Sequence, residues 1–132
     1  MKKNYVLIVD DNALLYETLA EKLQNENFEV SDYTPSVKDA IASIEKRRPD
    51  IALLDVMLEG EETGLDLANI INEKYSFPFI FVTGMDNDYY SRKIQQTKRK
   101  EFVPKTVSYD FFKNILRSIH LALELAAEKT EN

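Results

Sequence analysis

Short apolar runs, separated by segments with helical periodicity, restrict the fold of this chain more than any other feature of its sequence. Runs of this kind are typical of strands buried on both faces, as in a parallel sheet covered by helices. None approaches the roughly 18 apolar residues of a membrane span. We predict five strands, at residues 5–9, 28–33, 51–54, 79–82 and 101–103.

Helical periodicity fills the intervals between these strands. The first helix should begin after Asn12, and the second at Ser36, whose hydroxyl can cap the helix while Asp39 completes an S-x-x-D box. The third should span residues 64–75, the fourth 89–98, and the fifth should open at Ser108. Alternating strands and helices with right-handed crossovers predict an α/β fold, a three-layer α/β/α sandwich. Such folds bind ligands beyond the carboxyl ends of their strands.

Composition removes several classes of function without naming one. The 132 residues include no cysteine and only one histidine, His120, which excludes thiolate zinc sites, cysteine nucleophiles and sites with several histidine ligands. Three glycines, Gly60, Gly64 and Gly84, are too widely spaced for a dinucleotide-binding or P-loop motif. A net charge of -6 disfavours nucleic acid or an anionic membrane as the main partner. Because no signal peptide or membrane span is evident, we expect a cytoplasmic protein.

The residues that follow the predicted strands are all polar. Asp10 and Asp11 follow the first strand, Asp55 the third, Thr83 the fourth and Lys105 the fifth. Carboxylates that converge at one sheet edge repel one another and raise each other's pKa values unless a cation joins them. With oxygen ligands only, the expected cation is Mg²⁺. Three carboxylates balanced by Mg²⁺ and one lysine could also accept a phosphoryl group.

Four segments at these strand ends together carry a resemblance to a known family. They are Leu7-Ile8-Val9-Asp10-Asp11-Asn12, Leu53-Leu54-Asp55-Val56-Met57-Leu58, Phe81-Val82-Thr83-Gly84 and Phe102-Val103-Pro104-Lys105. In this order they resemble the receiver domain of bacterial two-component response regulators. The resemblance implies a flavodoxin-like fold with a five-stranded parallel sheet of order 2-1-3-4-5 and five helices. It assigns residues 1–125 to the receiver domain and 126–132 to a tail of the last helix.

The resemblance also implies a phosphorylation site. Asp55 would be the phosphoacceptor, taking its phosphoryl group from a histidine kinase, a phosphotransfer protein or a small donor such as acetyl phosphate. Mg²⁺ would be held by Asp10, Asp11, Asp55 and the backbone carbonyl of Met57. Lys105 would bind the phosphoryl oxygens. The protein would therefore be no conventional enzyme, with at most weak self-phosphorylation and autodephosphorylation.

A conformational switch follows from the same resemblance. Thr83 would turn its hydroxyl onto the phosphoryl group, and Phe102 would rotate inward. The face formed by the fourth helix, the fifth strand and the fifth helix would then control a protein partner or a phosphorylation-dependent homodimer. Gly84 is expected where a side chain would obstruct the acceptor. The chain departs from the family at Thr106, which follows Lys105 where proline is usual.

Other interpretations stay open on the sequence alone. A single strand-end aspartate is often a helix cap, which could apply to Asp11 or Asp55. A pseudo-receiver would keep the fold as a binding module that is never phosphorylated. An aspartate-nucleophile phosphohydrolase also uses Mg²⁺ at an acidic strand end, although it normally needs a D-x-D motif. The sequence does not separate a stand-alone receiver from one cut from a longer chain.

Overall fold

Five parallel strands form the centre of the computed structural model, which describes residues 2–84, 102–105 and 110–131. Of Thr83, Phe102, Pro104 and residues 129–131 only the backbone is described. The strand order is β2-β1-β3-β4-β5, as the resemblance implied. The strands are β1 (Tyr5–Val9), β2 (Glu29–Val30), β3 (Ile51–Leu54), β4 (Phe79–Thr83) and β5 (Phe102–Pro104).

Helices cover both faces of this sheet, which confirms the predicted parallel sheet with helices. They are α1 (Ala13–Asn25), α2 (Val37–Lys46), α3 (Gly64–Ile70) with a π-helical turn (Ile71–Tyr75), and a C-terminal helix (Phe111–Glu131). Alternate residues of β1 point to opposite layers. Leu7 packs with α2 and α3, whereas Ile8 packs with α1 and the C-terminal helix. Each fully buried aliphatic side chain contributes about 1.5–3 kcal/mol to folding.

Side-chain caps set where the helices begin, and therefore where the preceding loops end. Asn12 Oδ1 accepts a hydrogen bond from the Leu15 amide at 3.1 Å, and Ser36 Oγ accepts one from the Asp39 amide at 3.1 Å. Both helix starts agree with the sequence prediction. Thr63 caps α3 in a capping box that we did not predict. These caps satisfy amides that have no partner within the helix.

Three strands have bounds that differ from the prediction. The second strand is only Glu29–Val30 rather than residues 28–33, because the Ser31 hydroxyl takes the place of a backbone partner. Ser31 Oγ accepts a hydrogen bond from the Ile8 amide at 3.0 Å, which ends the regular backbone hydrogen bonding between β1 and β2. The fifth strand, Phe102–Pro104, extends one residue beyond the predicted 101–103, of which residue 101 lies outside the described residues, and the fourth strand includes Thr83.

Two other predictions have different outcomes. The third helix covers the predicted residues, but its last five residues form a π-helical turn that ends at Ser76 in the left-handed conformation. The predicted fourth helix at 89–98 and the predicted cap Ser108 lie outside the described residues. Among the helices in the described ranges, none is long and apolar enough to cross a membrane.

Candidate functional site

Two buried aspartates and one exposed aspartate meet at the carboxyl edge of the sheet. Asp10 follows β1 and Asp55 follows β3, and these strands are direct neighbours with Val9 paired to Leu54. Asp10 is 3% exposed and Asp55 is 6% exposed, whereas Asp11 is open to solvent. One carboxylate oxygen of each of the three lies within 4.8 Å of the others. The sheet order therefore assembles the acidic cluster that the sequence predicted.

Lys105 connects the two buried carboxylates. Its Nζ lies 2.9 Å from Asp10 Oδ2 and 3.0 Å from Asp55 Oδ2. The lysine follows β5, two strands away from β3, so its side chain crosses the end of β4 to reach them. Gly84 borders this lysine, since a Cβ atom built at Gly84 would lie at an ordinary contact distance of 3.6 Å from Lys105 Cβ. That a side chain at Gly84 would obstruct the acceptor stays a prediction.

The other oxygens of the buried carboxylates accept backbone hydrogen bonds. Asp55 Oδ1 accepts from the Val56 amide at 2.8 Å, and Asp10 Oδ1 accepts from the Asn12 amide at 2.9 Å. Both bonds fix the carboxylate planes relative to the backbone. In the described part of the chain, every buried side-chain nitrogen or oxygen has a hydrogen-bond partner. The site is thus a pre-organised polar cluster.

The protonation equilibria of this cluster are coupled. Burial, followed by the negative charge of Asp10, raises the pKa of Asp55, while Lys105 and the Val56 amide oppose that rise. Burial alone would lower the pKa of Lys105. The hydrogen bond to Asp10 and the charges of Asp55 and Asp10 overcome this effect and raise it. The lysine is therefore a firmly held cation between two carboxylates.

The donor set of the cluster suits a hard divalent cation. All three side chains offer carboxylate oxygens, the ligand type that Mg²⁺ prefers in proteins. Three carboxylates and one lysine leave a formal charge of about -2, which one Mg²⁺ would balance. Met57, whose backbone carbonyl is a predicted ligand, follows Asp55 by two residues and is 44% exposed. The residues present therefore fit the ion that the sequence predicted.

The helix-cap interpretation of the strand-end aspartates is wrong. Asn12 caps α1 and Thr63 caps α3, so neither Asp11 nor Asp55 serves this purpose.

His120 is exposed on the C-terminal helix, and its ring centroid lies 5.7 Å from that of Phe28, just before β2. It is therefore remote from the carboxyl edge of the sheet.

The two predicted switch residues are placed only by their backbones. Thr83 is the last residue of β4 and pairs with Pro104, and Phe102 begins β5 opposite Phe81. Their side chains lie outside the described part of the structure, as does Thr106. Their roles therefore stay predictions.

Gly64 is a site residue that our sequence reasoning did not recognise. It opens α3, and its amide donates a hydrogen bond to the Val56 carbonyl at 2.8 Å. A Cβ atom built at Gly64 would lie 1.9 Å from the backbone carbonyl oxygen of Asp55. Only glycine allows this close approach of α3 to the loop that carries Asp55. The Thr63-Gly64-Leu65-Asp66 segment carried a readable capping signal, but not the close approach.

Replacing Gly64 with alanine should therefore displace the loop that carries Asp55. We expect a loss of about 2 kcal/mol in the free energy of unfolding, because backbone atoms must move to admit the methyl group. Urea denaturation followed by circular dichroism measures this loss. Gly60→Ala is a useful comparison, because Gly60 has open space around it but a positive φ of 89°. Equal stability of Gly64→Ala and the parent chain would contradict the close approach.

Comparisons with known proteins agree with this geometry. Residues 6–117 match the family profile of the response regulator receiver domain. The chain is 37% identical over 83 residues to the regulatory protein VanR of Enterococcus faecium. This match covers 63% of this chain and 35% of VanR. It is also 37% identical over 81 residues to the heme response regulator HssR of Staphylococcus aureus. The match spans about a third of the length of these curated relatives, 35% in each case.

Solved structures resemble nearly the whole chain. The signal receiver domain of a modulated diguanylate cyclase from Desulfovibrio desulfuricans superposes with a TM-score of 0.84 at 27% identity, covering 99% of this chain and 100% of that one. A CheY-like response regulator receiver domain protein from Methanospirillum hungatei gives a TM-score of 0.83 at 22% identity, covering 97% and 99%. The fold of this chain is therefore the flavodoxin-like fold of receiver domains.

Proposed function

This chain belongs to the response regulator receiver family, and on that premise we propose that it is a phosphoacceptor switch modified at Asp55. Receiver domains of this family are signalling switches rather than conventional enzymes, and they interact with histidine kinases or phosphotransfer proteins. A donor of that kind would phosphorylate this chain. The observation that carries the proposal is the buried Asp55 carboxylate. Its Oδ2 lies 3.0 Å from Lys105 Nζ, and Asp10 and Asp11 lie next to it.

The proposed transfer is a simple displacement at phosphorus. One carboxylate oxygen of Asp55 forms a bond to the phosphorus atom of a phosphohistidine, and the phosphorus–nitrogen bond breaks. The imidazole nitrogen leaves with that electron pair, and Asp55 becomes an acyl phosphate. Lys105 donates hydrogen bonds to the phosphoryl oxygens, while Asp10 keeps the ammonium group in place at 2.9 Å.

Magnesium binding belongs to the same proposal. Asp10, Asp11, Asp55 and the backbone carbonyl of Met57 would hold the ion. When bound, Mg²⁺ neutralises negative charge that builds up on the transferred group. Asp10 and Asp55 already have one oxygen each fixed by a backbone amide, so the second oxygens are oriented in advance.

The output of the switch is a change of surface. We propose that the Thr83 hydroxyl turns onto the phosphoryl group and that Phe102 rotates inward, which alters the face formed by the 89–98 segment, β5 and the C-terminal helix. A local charge change thereby biases a two-state element. That face would control a downstream protein partner or a phosphorylation-dependent homodimer. Autodephosphorylation would return the chain to its resting state, with at most weak activity of its own.

Intact mass spectrometry after incubation with acetyl phosphate tests this function. With Mg²⁺ present, we expect the mass of one added phosphoryl group, and removal of the metal with EDTA should abolish the addition. Steady turnover of phosphate esters would instead indicate an aspartate-nucleophile phosphohydrolase. No adduct, together with no spectral response to beryllofluoride, would indicate a pseudo-receiver.

A further inference from the structure

Tyr33 lies in the loop between β2 and α2. It contacts the loop after β1 that carries Asp10 and Asp11, here called the acidic loop. Its hydroxyl donates a hydrogen bond of 2.8 Å to the backbone carbonyl of Asp11. This bond joins two loops that are 22 residues apart in the sequence. The side chain of Tyr33 is 39% exposed, so its ring does not serve mainly to fill the core.

A second tyrosine fixes the position of the first. Tyr16 of α1 packs against Tyr33 with ring centroids 5.5 Å apart and an interplanar angle of 56°. The Tyr16 hydroxyl donates a hydrogen bond of 2.6 Å to the Ser31 carbonyl, at the start of the same loop. A tilted arrangement is one of the packing geometries that aromatic pairs prefer. The Tyr33 hydroxyl is therefore held in a defined place.

The acidic loop also forms backbone contacts with Thr34, the residue that follows Tyr33. The Asp10 amide donates a hydrogen bond of 3.1 Å to the Thr34 carbonyl, and Val9 forms a parallel bridge with Thr34. Asp10 and Asp11 are thus each anchored through the backbone by neighbouring residues of one loop. The two anchors differ, because the Asp11 anchor is made by a side chain and can be removed by substitution.

Asp11 depends on this backbone anchor more than the buried aspartates do. Backbone amides and Lys105 hold the carboxylates of Asp10 and Asp55 directly. Within the described residues, no hydrogen bond or ion pair holds the exposed carboxylate of Asp11. Its place in the cluster is therefore set by the path of the backbone, and the Tyr33 hydroxyl restrains that path.

We propose that Tyr33 is a positioning residue whose hydrogen bond to the Asp11 carbonyl sets the affinity of the acidic cluster for a divalent cation. The inference rests on the proposed function, since it concerns the same metal site. Tyr33 is not itself one of the proposed metal ligands. It acts by restraining Asp11, the one exposed carboxylate of the three in the cluster. Metal ligands commonly depend on such outer partners for their orientation.

Tyr33→Phe tests this role by removing the hydroxyl and keeping the ring against Tyr16. Binding of Mn²⁺, a hard cation that serves as the probe, is measured by the electron paramagnetic resonance signal of the free ion. We expect Tyr33→Phe to bind Mn²⁺ about three- to tenfold more weakly than the parent chain. At saturating Mg²⁺, its labelling by acetyl phosphate should reach the parent rate, because only the metal affinity is altered.

Tyr75→Phe is the matched control. The Tyr75 hydroxyl also donates one side-chain hydrogen bond, to Glu45 Oε1 at 2.9 Å, but it lies near the amino ends of the strands. This variant should bind Mn²⁺ like the parent chain, and melting curves without metal should show both variants folded. Unchanged Mn²⁺ affinity in Tyr33→Phe, or an equal loss in both variants, overturns the positioning role alone. No Mn²⁺ binding by the parent chain overturns the role and the proposed metal site together.

Discussion

Replacing Asp55 with asparagine is expected to abolish phosphorylation by acetyl phosphate in the presence of Mg²⁺. The amide is nearly the same size as the carboxylate but cannot form the acyl phosphate, so the loss should be complete. Intact mass spectrometry of the labelled protein measures the phosphorylation. The variant should remain folded, because burial and Asp10 raise the pKa of Asp55 and a neutral group at this position suits its surroundings. We expect its free energy of unfolding at neutral pH to equal or exceed that of the parent chain.

Asp50→Asn is the matched control for this substitution. Asp50 precedes β3 and Asp55 follows it, so the same chemical change is made at opposite ends of one strand. Asp50 accepts a hydrogen bond from the Tyr5 amide, which an asparagine oxygen can still accept. This variant should be phosphorylated at the parent rate. Persistent labelling of Asp55→Asn, or an equal loss in Asp50→Asn, would contradict the assignment of Asp55.

Replacing Lys105 with alanine is expected to have the second largest effect, on both reactivity and stability. Without the ammonium group, the phosphoryl oxygens lose a charged donor, and we expect phosphorylation to slow about 100-fold. The buried carboxylates of Asp10 and Asp55 also lose their shared partner. Leaving buried charge uncompensated should lower the free energy of unfolding by about 2 kcal/mol at neutral pH. Quenched-flow labelling and urea denaturation measure the two effects.

The stability loss in Lys105→Ala should depend on pH in a defined direction. A carboxyl group whose pKa is raised by folding holds its proton longer in the folded state, so the folded state loses stability as pH rises through that raised value. Lys105 opposes the rise in the parent chain, so its removal should raise the pKa of Asp55 further. The penalty should therefore shrink in mildly acidic buffer, where more of Asp55 is protonated.

Two comparisons separate this electrostatic effect from general damage. Lys74→Ala removes an exposed lysine from the π-helical turn and should change neither the phosphorylation rate nor the stability. Added Mg²⁺ should restore part of the stability of Lys105→Ala, because it supplies positive charge to the same carboxylates. A stability loss that is constant with pH and unaffected by Mg²⁺ would contradict the coupling of Lys105 to the two aspartates.

The acidic site could be predicted from the sequence because strand ends are set by local patterns. Apolar runs such as residues 51–54 locate a strand, and parallel strands bring their carboxyl ends to one edge. Asp10 and Asp55 follow such runs directly, and Lys105 follows the predicted strand at 101–103 after one proline, so their convergence needs no detailed knowledge of the loops. The start of α2 at Ser36 was predictable for the same reason, since the cap and its Asp39 partner are three residues apart.

Features that depend on the course of a loop could not be predicted in this way. The Tyr33 hydroxyl meets the Asp11 carbonyl only because the segment after β2 continues alongside the end of β1, where Thr34 forms a parallel bridge with Val9, and no short sequence pattern encodes that course. The early end of β2 depends on a Ser31 hydroxyl bond to Ile8, a contact between distant residues. The close approach of Gly64 to the Asp55 carbonyl likewise arises from the packing of α3.

Chemical location of the phosphoryl group tests the central claim most directly. An aspartyl phosphate is an acyl phosphate, so borohydride reduction after labelling converts the modified residue to homoserine, which peptide mass spectrometry locates. We predict homoserine at position 55 after incubation with acetyl phosphate and Mg²⁺, and none when Mg²⁺ is omitted. Homoserine at another carboxylate, or none at any position despite Mg²⁺, would contradict the proposal that Asp55 is the phosphoacceptor.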